Sequence, residues 1–531
     1  MKLQKLMSGT IIASMLLSGG LIGYAESEGA ADISLEISGE YTLPLVEEPT
    51  TITWATVENW YPNASYNDGL EVYDIVAEKT GISIEWEVLP DAQYLTSMQT
   101  RLAAASDLPD ILRVPGGNPV AYGQQKLLIP LNDLINEYGY GVKQTFEEYP
   151  EAAKLMKGGD GYYYGLAPII VESSHWMPQY PVIREDWLND LGMNSPVTTD
   201  DWLEVLRAFR DNDMNGNGDN TDEIPFAGNP MIFGGAFGLH LIYSDQGFFA
   251  DENGKVYYQY TDPRMKDFLT YLNQLYTEGL LNPDYGNPDA EATSALITRN
   301  VAGASCEHPD LAMSYGSMLR DTLDEDAWLV GTVPPKGPNG DQSIEGYGTV
   351  DMGYAGISKD CENPEAAFKL MDYFWTEEGR MLLAYGIEGK TYEYNQDGEI
   401  VYTEETETFV DGISASLRSV GAWPTIPWVQ QERTYILQLE NDPKWGAEAA
   451  QTCIEPYYVE PFPILLASKD EQNKMALPLE DINTYRKEMV DKFIMGARPL
   501  EEFDAFVAEI EGMGLQQILE IKQSQWDSIM K

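Results

Sequence analysis

The stretch TITWATVENWYPNASYNDGLEVYDIVAEKTGISIEWEVL, residues 51–89, changes its hydrophobic period twice. TITWAT (51–56) alternates as a strand does. LEVYDIVAEKTG (70–81) sets Leu70, Tyr73, Ile75, Val76 and Ala77 at helical spacing and stops at a glycine. ISIEWEVL (82–89) alternates again, so the stretch reads as strand, helix, strand, which predicts a parallel sheet flanked by helices. YLTSMQTRLAAASDLPDIL (94–112) continues the pattern, with a helix ending near Ser106 and a short buried strand at DIL. The predicted fold class is therefore α/β. Beyond residue 200 helical faces dominate. Trp202, Leu203, Leu206 and Phe209 share one, with Thr199 or Asp200 as its cap; Phe268, Leu269, Leu272, Leu275 and Tyr276 share another. NPEAAFKLMDYFWTEEG (363–379) opens with Pro364 and stops at Gly379, and the last forty residues or so form a further helical tract.

At 531 residues, 43% of them hydrophobic, the chain supports several cores. It carries 86 acidic against 33 basic side chains, a formal net charge of −53. That balance excludes nucleic acid as a partner and disfavours anionic membrane surfaces, because both need a basic stripe. Lys2 and Lys5 precede an apolar run and GYA ends at Ala25, so residues 1–25 read as an export signal and 26–48 as an acidic linker. Cys306, Cys361 and Cys453 lack metal-ligand spacing and make no disulfide framework, although one bridge among them stays open. His175, His240 and His308 are read as structural.

DMNGNGDNTDEIP (213–225) is the densest polar segment. Oxygen-bearing side chains fall at alternate positions, Asp213, Asn215 and Asn217, before Gly218, and Asp219 can add its carbonyl. Asp222 and Glu223 close the set. Such spacing suits Ca²⁺, which takes six to eight oxygens. Position twelve of the loop is Ile224 and Pro225 follows, so a helix–loop–helix hand is not expected; the alternative is an Asn/Gly turn bonding its own backbone.

Six phrases in order, among them AAASDLPDIL (103–112), DGYYYGLAP (160–168), VIREDWLNDLGMNSPVTTDDWLEVLRAFRDND (182–213) and YGIEGKTYEYNQDG (385–398), resemble the extracellular solute-binding proteins of bacterial ABC importers, in particular their large oligosaccharide-binding group. The resemblance implies a two-lobed periplasmic-binding-protein fold of type II with a cleft between lobes. The lobes implied are 49–175 with 350–388 and 180–348 with 390–531, crossing near 172–182, 348–354 and 386–392. It also implies a structural Ca²⁺ held by Asp213, Asn215, Asn217, Asp219, Asp222 and Glu223, with a spacer, DNT, one residue longer than usual. That leaves Asp219 or Asn220 as the carbonyl donor and adds Thr221 as a further candidate. Gly20 stands where a lipid-bearing cysteine would, so no lipid anchor is expected. The expected partners are an oligosaccharide and the permease of an ABC transporter, bound by a monomer.

A sugar cleft needs flat aromatic platforms edged by polar groups. Candidates lie in loops: Trp60 and Tyr61 after the first strand, Trp176 at the first crossing, and Trp423 and Trp428 in GAWPTIPW, with Glu388 and Arg433 as polar partners. Acids beside tryptophans also describe a glycosidase, the alternative function, but no hydrolase motif appears. A surface structural protein would show repeats, and none is visible.

Overall fold

The computed structural model describes residues 32–37, 41–171, 178–286, 290–323, 325–440, 444 and 452–530. The expected signal segment and Trp176 with its neighbour His175 lie outside these residues.

Thr50–Val57 and Ile82–Leu89 pair in parallel with register Thr50↔Ile82 to Val57↔Leu89. The helix between them, Glu71–Thr80, ends at Gly81, whose φ of 76° is the left-handed cap that a β-carbon disfavours. Ile111–Arg113 joins the other edge of Thr50–Val57 in parallel, and Ala355–Ile357 returns antiparallel beside it. A second four-stranded sheet orders Ile224–Phe226, Ala302–Glu307, Tyr180–Arg184 and Leu329–Gly331. There the first pair is parallel, while Tyr180–Arg184 runs against both its neighbours.

Each sheet anchors its own core. The first contains Trp54, Ile111, Leu112, Tyr163, Phe368 and Trp375; the second contains Trp187, Trp202, Phe209, Phe226, Phe268 and Phe493. The molecule is thus a two-lobed α/β protein. The chain leaves the first core after Ile169 and enters the second at Tyr180; it leaves the second after Ile344 and regains the first at Tyr354.

Four sequence expectations differ from the structure. The third crossing does not fall at 386–392: Tyr392, Tyr402, Leu417 and Leu437 all join the first core, and the second resumes at Ile454. The glycines of GIEGKTYEY serve a hairpin, Tyr392–Tyr394 with Ile400–Tyr402, whose aromatics pack on Tyr385. NPEAAFKLMDYFWTEEG is not one helix but two, Pro364–Tyr373 and Glu377–Tyr385, because Thr376 caps the second by accepting from Gly379 N at 3.2 Å. The described part of the 26–48 segment lies on the first lobe. Tyr41 stacks on Tyr140 with centroids 4.6 Å apart, and Lys143 Nζ donates to Glu36 O at 3.1 Å. The helix Thr199–Asp211 is capped one residue earlier than expected, by Thr198. Cys306, Cys361 and Cys453 are all free thiols.

Candidate functional site

Both lobes aim the carboxyl ends of parallel strands toward one another, the usual place for a ligand in an open α/β sheet. In the first lobe Thr50–Val57 runs into Asn59, Trp60 and Tyr61. In the second, Ala302–Glu307 runs into the helix Pro309–Thr322 through His308, placing Glu307 and Asp310 at the turn. The first lobe answers with two helices, Ile413–Val420 and Glu432–Glu440. Residues three or four apart share a helical face, so Ser414 with Arg418, Tyr435 with Gln438 and Leu439, and Asp310 with Met313 form the facing rows. Leu439 packs against Met313, Tyr347 and Tyr435, joining the lobes by an apolar contact. Ser414 Oγ stands 3.4 Å from Asp310 Oδ2 and 3.2 Å from Gln438 Oε1, with a single proton to give.

The Arg418 guanidinium lies 5.1 Å from the Trp60 ring centroid and 5.8 Å from that of Trp423, so it is held between two indole faces. Its buried Nε–H has no hydrogen-bond acceptor. Trp423 is a support rather than a rim: it is 5% exposed, its Nε1 donates to Ala384 O at 2.9 Å, and its ring packs on Tyr435 at 4.9 Å. Its φ of 51° is a left-handed backbone that a bulky residue rarely adopts, and such strain concentrates at binding sites. On the opposite wall Glu307 accepts from Ser305 Oγ at 2.7 Å. Burial pushes its carboxyl up to about 7, against that hydrogen bond and with help from the Asp310 charge. His308 stacks on Tyr347 with planes 5° apart, extending a flat aromatic surface beside the acids. The wall therefore offers platforms, carboxylates, one guanidinium and unpaired amide groups: Gln438 Nε2 and Gln430 Oε1 are buried without partners. Hydroxyl-rich ligands satisfy such groups.

The acidic loop sits elsewhere. It precedes Ile224, which pairs with Ala302, while Glu307 ends that same neighbouring strand. At about 3.3 Å per residue the loop is roughly 16 Å from the cleft wall. Asp213 accepts from Asn217 N at 3.1 Å and Gly218 N at 2.8 Å, and the amides of Asn215 and Asn217 turn toward Asp222, the second at 2.7 Å. Glu223 Oε1 accepts from Met214 N at 2.9 Å, whereas its Oε2 is buried with no partner. An orphaned buried carboxylate oxygen inside a ring of oxygen-bearing side chains fits a hard cation. Asp219 is turned away: its carboxylate takes both the N–H and the hydroxyl of Thr221, at 3.0 and 2.6 Å. Among the described residues no group of three or more Asp, Glu, His or Cys is arranged to hold a metal.

Residues 63–381 match the family model described as bacterial extracellular solute-binding protein. The chain belongs to that family. This solute-binding protein is 24% identical over 563 aligned positions to the fructooligosaccharide ABC transporter substrate-binding protein FusA of Streptococcus pneumoniae, spanning 98% of this chain and 97% of that one. The crystal structure of the alginate-binding protein AlgQ2 without calcium ion superposes with a TM-score of 0.76 at 22% identity, over 91% and 99% of the two chains. A structure of a FusA EF-hand mutant in complex with fructo-nystose gives 0.72 at 22% identity, over 90% and 99%. These structures share the two-lobed fold.

Of the aromatic residues expected to line the cleft of this solute-binding protein, Trp60 is 59% exposed and meets Arg418, and Trp423 meets the same guanidinium from beneath. Tyr61 turns to its own lobe, donating to Asp411 Oδ2 at 2.7 Å. Trp428 is 5% exposed in the first core, its carbonyl accepting from Ile169 N at 2.9 Å. Glu388 is exposed in the turn before the Tyr392 hairpin, away from the facing helices. Arg433 is half-buried, but two residues from Tyr435 it falls on the other side of its helix. Arg418, Tyr435, Gln438, Glu307, Asp310 and Tyr347 were not among the sequence candidates. CEHPD (306–310), a strand end running into a proline-opened helix, is the one signal that marks two of them.

Proposed function

We propose that this protein captures an oligosaccharide between its lobes and presents the closed form to the permease of an ABC importer. The observation that carries the reading is Arg418 held between Trp60 and Trp423 on one lobe, one helical turn from Ser414, whose hydroxyl stands 3.4 Å from Asp310 Oδ2 of the other. Ring faces take the C–H side of a sugar and the charged edges take its hydroxyls. The oligosaccharide specificities of the relatives support it. The lobes, residues 50–171 with 350–437 and 180–345 with 454–530, close about three crossings as a hinge does. Calorimetry against oligosaccharides, paired with small-angle scattering, tests this: saturable heat with a smaller radius of gyration supports capture, and heat without compaction rules out closure.

Export by residues 1–25 and action as a monomer belong to the same proposal. Among the described residues no helix is long and apolar enough to cross a membrane. We also propose that Asp213, Asn215, Asn217, Asp222 and Glu223, with a carbonyl from Asp219 or Asn220, hold a structural Ca²⁺. The cation ties the end of the Thr199–Asp211 helix to the strand Ile224–Phe226.

Glu307 beside Asp310 raises the glycosidase reading again. That chemistry sets two carboxylates across the scissile bond. Here both come from one strand-to-helix turn and stand on the same wall, which favours binding. Chromatography of the ligand recovered after incubation checks it: intact ligand is expected, and shortened products would establish hydrolysis.

A further inference from the structure

We infer that Tyr347 is a positioning residue for capture: its ring links the Glu307–Asp310 turn to the crossings between the lobes, so that a filled cleft holds the lobes together. The inference rests on the capture reading above and adds the residue through which binding and closure are coupled. Tyr347 stands in the second crossing, between Ile344 of the second core and Tyr354 of the first, and is half-buried.

On the side of the cleft wall the ring stacks on His308, with centroids 6.0 Å apart and planes 5° apart, and its hydroxyl stands 3.3 Å from His308 Nδ1. His308 follows Glu307 directly and is the cap of the helix that carries Asp310 in its first turn. A ligand held by Glu307 or Asp310 therefore bears on the residue that Tyr347 supports. On the side of the first lobe, Leu439 packs against Tyr347, Met313 and Tyr435. Tyr435 in turn packs on Trp423, the indole behind Arg418. One ring thus touches the wall of one lobe and is joined through Leu439 and Tyr435 to the platform of the other.

The same ring is tied to the other crossings. Tyr243 lies 4.9 Å from it, and the Tyr243 hydroxyl accepts from Gln179 N at 2.9 Å, where the first crossing enters the second lobe. The Tyr347 carbonyl accepts from Tyr458 Oη at 2.9 Å, where the chain has returned from the third crossing. Behind Tyr347 the backbone is held firmly. Ile344–Glu345 pairs with Tyr458–Val459, and the Glu345 carboxylate accepts from Ile242 N at 2.7 Å, Tyr243 N at 2.9 Å and the Ser244 hydroxyl. Ahead of it the first two crossings run side by side, with Ile170 N donating to Thr349 O at 3.0 Å. A planar ring packed from several sides cannot shift gradually, because close-packed contacts are either made or lost. Closure that makes these contacts is stabilised by them, and without them the closed form is less populated and binds more weakly overall.

The test uses the full mature chain as wild type, Tyr347→Ala and Tyr347→Phe, titrated with kestose, cellotriose, chitotriose and trigalacturonate. Calorimetry gives affinity, stopped-flow tryptophan fluorescence gives the rates, and small-angle scattering gives the change in radius of gyration on binding. With the sugar that wild type binds most tightly, Tyr347→Ala is expected to bind about tenfold more weakly, with the loss in the dissociation rate. It is also expected to lose most of the compaction. Tyr347→Phe keeps the ring and gives up one long hydrogen bond, so it is expected to compact fully and bind within about threefold of wild type. Where Tyr347→Ala does not melt cooperatively, Leu439→Ala trims the same cluster from the first lobe and is held to the same expectation. A role confined to stability lowers the melting temperature and leaves compaction and dissociation unchanged. Full compaction with a wild-type dissociation rate in the alanine variant, or compaction lost in Tyr347→Phe, overturns the inference and leaves capture standing. Failure of wild type to bind any of these sugars overturns capture itself.

Discussion

Replacing Glu307 by Gln removes a carboxyl that the fold holds protonated, and the consequence for stability can be worked out with its sign. Its ordinary value of 4.5 rises to about 7, chiefly through burial, at a side chain only 7% exposed. Between those values the folded chain binds more protons than the unfolded chain. Stability therefore falls as pH rises from about 5 to about 7 and is level above that. At about 1.4 kcal/mol per unit, the carboxyl costs up to roughly 3 kcal/mol at pH 8 and little at pH 5. Gln keeps the shape and can still accept from Ser305 Oγ. The variant is thus expected to match the wild type at pH 5 and to exceed it by about 2–3 kcal/mol at pH 8. Asp372, raised to about 6 mainly by burial and opposed by backbone N–H groups from Val142, Gly141 and Tyr140, contributes the same slope in both chains and cancels in the difference. Urea unfolding followed by tryptophan fluorescence at pH 5, 6, 7 and 8 measures it, taking the second-lobe transition separately because two lobes need not unfold together. A difference that stays flat across pH, or a variant weaker at pH 8, refutes the reasoning.

Trp423→Ala opens a cavity beneath Arg418 and Tyr435; a loss of about 3–5 kcal/mol is expected in the first-lobe transition together with a loss of glycan binding, measured by melting and calorimetry. Trp60→Ala touches an exposed ring, so stability should move by no more than about 0.5 kcal/mol while affinity for the oligosaccharide bound most tightly in calorimetry drops about tenfold; an unchanged affinity removes Trp60 from the site. Chelation with EGTA is expected to lower the melting temperature of the second lobe, and Glu223→Gln to abolish that response. A wild-type melting curve indifferent to EGTA argues that residues 213–223 are only a turn.

The α/β class was legible because the period of residues 51–89 depends on local alternation alone, and the structure keeps that register. Trp60 and Trp423 were singled out by a chemical argument about loops, and both rings lie against one guanidinium. That guanidinium was invisible: Arg418 lies within a helical pattern where a long cation ordinarily marks the solvent face. Gln438 and Tyr435 share the difficulty, since a polar residue on a helix gives no sign of the lobe it will meet. Trp428 and Glu388 misled for the converse reason. Prolines and glycines around them suggested a rim or hinge, whereas tertiary pairing with Ile169 and the Tyr392 hairpin absorbed both. The loop at 213–223 was the most conspicuous candidate, because its oxygen-bearing residues are neighbours in the chain.

The return of residues 350–437 to the first lobe has a consequence for when the chain can fold. Ile111 pairs with Ile357, and the Trp54 ring meets that of Phe374 at 6.0 Å, so the first core cannot close until more than two thirds of the chain has been synthesised. Contacts so distant in sequence form slowly, since a long loop must close before they contribute. A nascent chain with this topology therefore stays unfolded for longer, and any step that needs it unfolded has that interval in which to act.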